Sequence, residues 1–246
     1  MELQLEVNGL SYVATYRDED VEGVFHPLLK SWSYMRAELS RRMVLFLAAP
    51  PGTGKTTLAL FLAALAKQMP EMPRVQALGM DGFHYPNSYL ESHAIVEDGE
   101  AKLLVARKGA PFTFDVDALG AAFADVRGAN PKPWPEYSRK IHDVVPAAID
   151  IEGDILVIEG NYLLLDEPRW RDLSRMADQT VFLSASRDML EGRLVGRKVA
   201  GGMNKSQAQA WYKASDGLNV ELVLSSRVPS DVELELDQSG AIRRFR

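Results

Sequence analysis

The stretch Ala49-Pro50-Pro51-Gly52-Thr53-Gly54-Lys55-Thr56-Thr57 constrains this chain more than any other. An apolar run, Met43 to Ala48 (MVLFLA), precedes it, and Leu58-Ala59-Leu60-Phe61-Leu62-Ala63 follows. The order reads as strand, glycine-bearing loop, helix. Such a loop can wrap a polyphosphate in backbone N–H groups. Lys55 can then reach the β- and γ-phosphates, and the Thr56 hydroxyl can hold Mg²⁺. The helix N-terminus adds partial positive charge. Pro51, Gly52, Thr53, Gly54, Lys55, Thr56 and Thr57 are therefore the candidate nucleotide-binding residues. The pattern G-x-x-x-x-G-K-[ST] finds alanine at its first position. Ala49 avoids positive φ, so that corner is expected in a φ < 0 conformation. The plainer alternative is a tight strand-to-helix turn with a surface lysine. The stiff Pro-Pro and the flanking runs favour the phosphate loop.

Continuous apolar runs recur at 43–48, 75–80 (VQALGM), 155–159 (ILVIE) and 180–184 (TVFLS), with helical segments between them. Apolar strands joined by helices predict a parallel sheet covered on both faces. Residues 2–17 alternate around Asn8-Gly9, the pattern of a β-hairpin. Asp18 to Ser40 reads as helix, broken near Pro27. Residues 1–40 thus look like an appended hairpin and helix ahead of a domain spanning 41–246. Residues 128–135 (GANPKPWP) are rich in turn signals. A terminal hairpin is expected from Val232–Leu236 and Ala241–Phe245.

With 246 residues, 46% hydrophobic and 25% charged, the composition is that of a globular protein. The net charge of −6 disfavours nucleic acid and anionic membranes as partners. The absence of cysteine excludes disulfides, thiolate metal sites and cysteine nucleophiles. No stretch has the length of a transmembrane helix, and the N-terminus lacks the pattern of a signal peptide. A cytoplasmic location is the expectation.

Open parallel sheets bind ligands outside the carboxyl ends of their strands. The second run ends there in Met80-Asp81-Gly82-Phe83-His84-Tyr85-Pro86-Asn87. Asp81 can accept or orient the proton of an attacking hydroxyl; alternatively it caps the next segment or only binds Mg²⁺. His84 and Tyr85 are substrate candidates, against simple loop packing. The third run ends in Glu159, placed to help hold Mg²⁺ or its water. Asn161 and Tyr162 follow it directly and are expected to border the pocket, Asn161 as a substrate candidate. Arg107 to Asp115 forms a basic-aromatic loop ahead of a helix starting near Asp115. Trp134 to Asp143 gathers Tyr137, Arg139 and His142, which suits a polar substrate; the alternative is a solvated strand edge. Arg193 and Arg197, four apart, share one helix face before a Gly201-Gly202 break. They fit a lid over a phosphoryl group, or else an ordinary solvated face.

Taken in order, APPGTGKTT (49–57), MDGFHYPN (80–87), RKGAPFTFD (107–115), YSRKIHD (137–143), VIEGNYLLL (157–165) and the 193–219 stretch give the chain a resemblance. It resembles the P-loop small-molecule kinases of the phosphoribulokinase, uridine kinase and bacterial pantothenate kinase superfamily. Within these it is similar to the nucleoside/nucleotide kinase-like branch often labelled fructose-transport-system kinase. The likeness covers roughly residues 41–230. It implies a doubly wound P-loop sheet with a small helical lid, ATP and Mg²⁺, and phosphoryl transfer to a hydroxyl. It also implies that Asp81 is the catalytic aspartate, acting with Lys55 and with Arg193 and Arg197 as lid arginines, and that Thr56 and Glu159 hold the metal. Arg107, Tyr137, Arg139 and His142 match positions near the acceptor.

The resulting expectation is an ATP-dependent kinase of a small metabolite, a sugar or nucleoside first and a pantothenate-like acceptor as the alternative. An NTP-hydrolysing switch is the rival. It has no need of the acceptor loops, and Asn204-Lys205-Ser206-Gln207 ends in the wrong residue for guanine recognition. A non-catalytic scaffold is the second rival, although every catalytic residue type is present. Dimers are common among homo-oligomers, so a homodimer is the assembly expected if the chain self-associates.

Overall fold

The computed structural model describes residues 1–7, 10–97 and 99–245. Its strands are β1 (Glu2–Val7), β2 (Leu10–Thr15), β3 (Met43–Ala48), β4 (Val75–Gly79), β5 (Ala94–Glu97), β6 (Glu100–Leu103), β7 (Trp134–Ser138), β8 (Asp143–Ile149), β9 (Ile155–Gly160), β10 (Gln179–Ala185), β11 (Val232–Leu236) and β12 (Ile242–Arg244). Six of them form the central sheet in the order β12-β11-β10-β3-β9-β4. All neighbours are parallel except the β11–β12 hairpin. From β3 the chain moves outward to β4 on one side. Later it crosses to β10 and β11 on the other. This reversal beside β3 creates the crevice at the carboxyl edge where such sheets bind ligands. The expected terminal hairpin forms, and its first strand also extends the parallel sheet.

Strand periodicity explains the two cores. Met43, Leu45 and Leu47 enter one cluster, together with Phe61 of the helix Lys55–Ala66. Val44, Phe46 and Ala48 enter the other, with Phe123 and Trp170. Both faces of β3 are fully buried, as a sheet covered on both sides requires.

The N-terminal hairpin and the helix His26–Glu38 cover the first of these cores. Leu5, Ala14, Phe25, Leu28 and Trp32 belong to the same cluster as Leu45 and Phe61. The Tyr16 ring meets Phe61 edge-on at 4.5 Å. The Trp32 indole N–H donates to Gln179 Oε1 at the start of β10, 2.7 Å away. The helical stretch begins at Asp18 and ends at Glu38, with a π-helical turn over Val21–Phe25 just ahead of Pro27. The expected Asn8-Gly9 turn lies outside the described residues. Among the described residues, no helix is long and apolar enough to cross a membrane.

Two smaller hairpins, β5–β6 and β7–β8, stand off the sheet. The second lies over the end of β4. Beyond β10, the helix Arg187–Ala200 is capped by Ser186. It breaks at Gly201 and Gly202, the latter at φ +100°. The helix Lys205–Trp211, a π-helical turn over Tyr212–Asp216 and the helix Gly217–Ser225 then return the chain across the crevice.

Candidate functional site

The loop after β3 is built on glycine at the two positions where L-residues are disfavoured. Gly52 has φ +88° and Gly54 φ +90°. Gly54 is the N-cap of Lys55–Ala66, and its open approach leaves the helix N-terminus facing the crevice. Ala49 is absent from the positive-φ residues, as expected, and is fully buried. Thr53 turns its side chain inward, where its hydroxyl donates to Pro50 O at 2.9 Å. It therefore offers the crevice backbone rather than side chain.

Thr56 and Lys55 converge on Glu159. The Thr56 hydroxyl donates to Glu159 Oε1 at 2.7 Å, and Lys55 Nζ lies 4.0 Å from Glu159 Oε2. Pairing register places Glu159 between Leu47 of β3 and Gly79 of β4. A Cβ on Gly79 would stand 3.5 Å from Glu159 Oε1, so the glycine leaves the carboxylate room. Burial pushes the Glu159 carboxyl above the ordinary carboxylate range, and neighbouring Asp81 adds to this, against the pull of Lys55 and Thr56.

Asp81 lies two residues past β4, in the 3₁₀ turn Met80–Phe83. Gly82 makes that turn fit beneath β7: a Cβ there would sit 2.1 Å from Pro135 O. The Trp134 indole N–H donates to Gly79 O at 2.8 Å and fixes the same junction. Asp81 is exposed. Among the described residues, its carboxylate has no hydrogen bond or ion pair, and neither do the Arg139 and Arg197 side chains. His84 Nδ1 is 2.9 Å from Asp81 O, and its ring lies 3.8 Å from that of Phe114. Burial lowers the His84 pKa despite Asp81, which favours a neutral imidazole.

Several of these residues line one cleft of ≈ 560 Å³. On the loop side are Pro51, Gly52, Gly54, Lys55, Thr56 and Thr57. Opposite are Asp81, His84, Arg139 and Asn161. The helix Arg187–Ala200 contributes Arg193, Leu194 and Arg197. Arg193 Nη1 donates to Thr53 O at 3.0 Å and to Gly52 O at 3.3 Å. A Cβ on Gly52 would stand 3.0 Å from Leu194 Cγ, so the helix rests directly on the loop. Behind Asp81, a cavity of ≈ 120 Å³ reaches toward Leu60, Ala77 and Ile149, and Tyr137 lines it.

Three residues singled out from the sequence stand elsewhere. Arg107 pairs with Glu97 of β5 at 2.6 Å. With Tyr85 it lines a separate groove beside Trp170. Tyr85 stacks on Tyr89 at 4.3 Å. His142 has φ +54°, and its carbonyl, not its ring, is engaged, by Lys108 Nζ at 2.9 Å. Six cleft residues lie outside the site residues expected from the sequence: Lys108, Gly109, Phe114, Leu194, Asp216 and Asn219. Lys108 follows Arg107 directly and lies 4.8 Å above the Tyr137 ring. Asp216 and Asn219 reach the cleft only because the last helices fold back over it.

Mg²⁺ takes hard oxygen ligands and needs only one or two carboxylates beside phosphate oxygens. The Thr56 hydroxyl and Glu159 carboxylate fit that requirement. Among the described residues, no group of three or more His, Cys, Asp or Glu side chains could hold a metal without a phosphate.

No family model matches the chain. The uncharacterized protein YggC of Escherichia coli (strain K12) is 40% identical over 241 residues, 98% of each chain. A "putative uridine kinase" of Schizosaccharomyces pombe is 28% identical over 79% of this chain and 83% of its own. The crystal structure of a "putative fructose transport system kinase" from Silicibacter sp. TM1040 superposes with a TM-score of 0.76 at 30% identity, covering 85% of this chain and 98% of the other. Sheet order, phosphate loop and these relatives agree: the chain belongs to the P-loop small-molecule kinases of the uridine kinase, phosphoribulokinase and pantothenate kinase superfamily.

Proposed function

We propose that this protein transfers the γ-phosphoryl group of ATP to a hydroxyl of a small polar metabolite, a sugar or a nucleoside. The observation that carries this reading is the unpaired carboxylate of Asp81, a residue that lines the cleft with Lys55 and Thr56 and the smaller cavity with Thr56 and Glu159. A hydrolytic switch needs no such group beside an acceptor-sized space.

The loop N–H groups and Lys55 hold the phosphates. Thr56 and Glu159 would hold Mg²⁺, which when bound neutralises charge on the phosphate oxygens. Asp81 takes the proton of the acceptor hydroxyl as its oxygen bonds to the γ-phosphorus. The bond from that phosphorus to the bridging oxygen breaks, and ADP leaves. Arg193 and Arg197 neutralise the transferring group. Arg139, which lines the smaller cavity together with Asp81 and Glu159, holds the acceptor end of the same charge.

The test is ADP release by purified protein with Mg-ATP against sugars, nucleosides and pantothenate-like acids. Acceptor-dependent release with a phosphorylated product supports the reading. Hydrolysis indifferent to every acceptor contradicts it.

A further inference from the structure

Buried polar groups in folded proteins nearly always have a partner, and an exception calls for an explanation. Among the described residues, four buried side-chain atoms lack one, and two of these belong to the cleft: Asn161 Oδ1 and Asp216 Oδ2. Neither oxygen of Asp216 accepts a hydrogen bond, and no cation pairs with it. Leaving a buried acceptor unsatisfied is unfavourable. A chain that keeps two in one cleft is suited to a ligand that satisfies them.

The surroundings locate that ligand. Tyr162 donates its hydroxyl to Gly109 O at 2.6 Å, and Asn219 Nδ2 donates to the same carbonyl at 3.3 Å. Asp81 and Asp216 both act on Tyr162 through charge, and burial with these two carboxylates pushes its phenol pKa far up. Asp216 stands three residues ahead of Asn219 in the same helical stretch, so the two share a face, and Asp216 belongs to the side of the cleft where Asn219 meets Gly109.

The chemistry of these groups selects what can bind. Asp81, Asp216 and Asn161 Oδ1 are acceptors only. Lys108, the nearby ammonium, is already held by Asn87 Oδ1 and His142 O, 2.5 and 2.9 Å away. A ligand carboxylate beside Asp216 would have to draw on Arg139 or Arg197, the cleft guanidiniums unpaired among the described residues, which the transferring phosphoryl group also needs. A molecule with several hydroxyl donors meets each acceptor in turn.

We propose that Asp216, with Asn161, holds the non-reacting hydroxyls of the acceptor, and that the acceptor is a neutral polyol, a sugar or the ribose of a nucleoside, rather than a carboxylic acid. This rests on the phosphoryl-transfer reading above. Asp216 is a specificity residue, and Asp81 remains the group at the reacting oxygen.

The experiment measures ADP release with D-ribose, D-fructose and uridine against pantothenate and D-glycerate, for the wild type, Asp216→Asn and Asp216→Ala. The expected result is stimulation by at least one polyol and by neither acid. Loss of a hydrogen bond to a charged group then raises the polyol KM by roughly 10- to 100-fold in Asp216→Ala, while the ATP KM stays within about twofold by the same reasoning. Asp216→Asn keeps the shape of the side chain and serves as the folding control. Because it removes an unpaired carboxylate, its thermal midpoint should match or exceed that of the wild type. Stimulation by an acid alone overturns the polyol assignment while phosphoryl transfer stands. A polyol KM unchanged in both variants overturns the role of Asp216. No stimulation by any of the five, with ATP hydrolysed regardless, overturns the transfer reading and this inference with it.

Discussion

The Thr56 hydroxyl donates to Glu159 Oε1 across 2.7 Å, tying the first turn of the loop helix to the end of β9. Residues 103 apart in the chain thereby form the oxygen pair beside Lys55. Thr56 comes from the helix start and Glu159 from the neighbouring strand, so the pair exists only because β3 and β9 are parallel and in register.

Glu159→Gln should trade stability for activity. Its carboxyl is raised above the ordinary 4.5 mainly by burial. A raised acid favours the folded state at low pH, where it is protonated. That contribution is lost as pH rises through the folded value. At neutral pH the buried charge is thus a cost, and glutamine removes it. The variant should melt at or above the wild type at pH 7–8, with the difference shrinking as pH falls toward 4.5. Turnover should fall by about 10²-fold or more, the usual loss when one electrostatic group is removed from such a site. Thermal melts across pH, set beside kcat, check both halves.

Gly82→Ala should damage the site through the backbone. The new Cβ would meet Pro135 O at 2.1 Å, and neither partner is a flexible side-chain end. Overpacking of this kind costs about 1–3 kcal/mol. Relief requires the β7–β8 hairpin or the Asp81 turn to move, and a shift of about 1 Å can cost about 10²-fold in rate. Urea unfolding and kcat should both change, with the ATP KM much less affected.

Arg193→Ala should have two readouts. With the guanidinium gone, the bonds to Gly52 O and Thr53 O vanish. Amide exchange across the helix Arg187–Ala200 should then accelerate in the nucleotide-free protein. In turnover, loss of the donor should lower kcat by about 10²–10³-fold. Lysine should not restore it, because an ammonium cannot reproduce the planar fork.

Trp32→Ala tests whether residues 1–40 act as part of the core. Trp32 is fully buried and bonded to Gln179. Its truncation should cost about 3–5 kcal/mol, read from chemical denaturation, far more than a change in a loosely attached segment.

The strands, the phosphate loop and the strand-end acids were legible because each is written locally. An apolar run, a glycine pair and an acid closing a strand carry their meaning in a few residues. The helix expected to start near Asp115 is Val116–Asp125, and the Asp115 carboxylate caps it by accepting from the Ala118 N–H at 2.9 Å. Arg107 was read without its neighbour, because the β5–β6 hairpin that supplies Glu97 has short, mostly exposed strands with little hydrophobic signal. The place of residues 1–40 against Phe61 is a tertiary matter, set by aromatic packing between distant segments. Asp216 and Asn219 were invisible for the same reason: their arrival in the cleft depends on the turn at Gly201-Gly202 and the return of two helices.

The most direct test of the central claim follows the label from [γ-³²P]ATP in the wild type and in Asp81→Asn, alongside equilibrium binding of ATP. The account predicts that the wild type moves label onto a hydroxyl of the acceptor. Asp81→Asn should bind ATP as tightly and lose about 10²–10⁴-fold of the transfer rate, the usual contribution of a general base. Label appearing only as inorganic phosphate at an acceptor-independent rate, or transfer undiminished in Asp81→Asn, would contradict it.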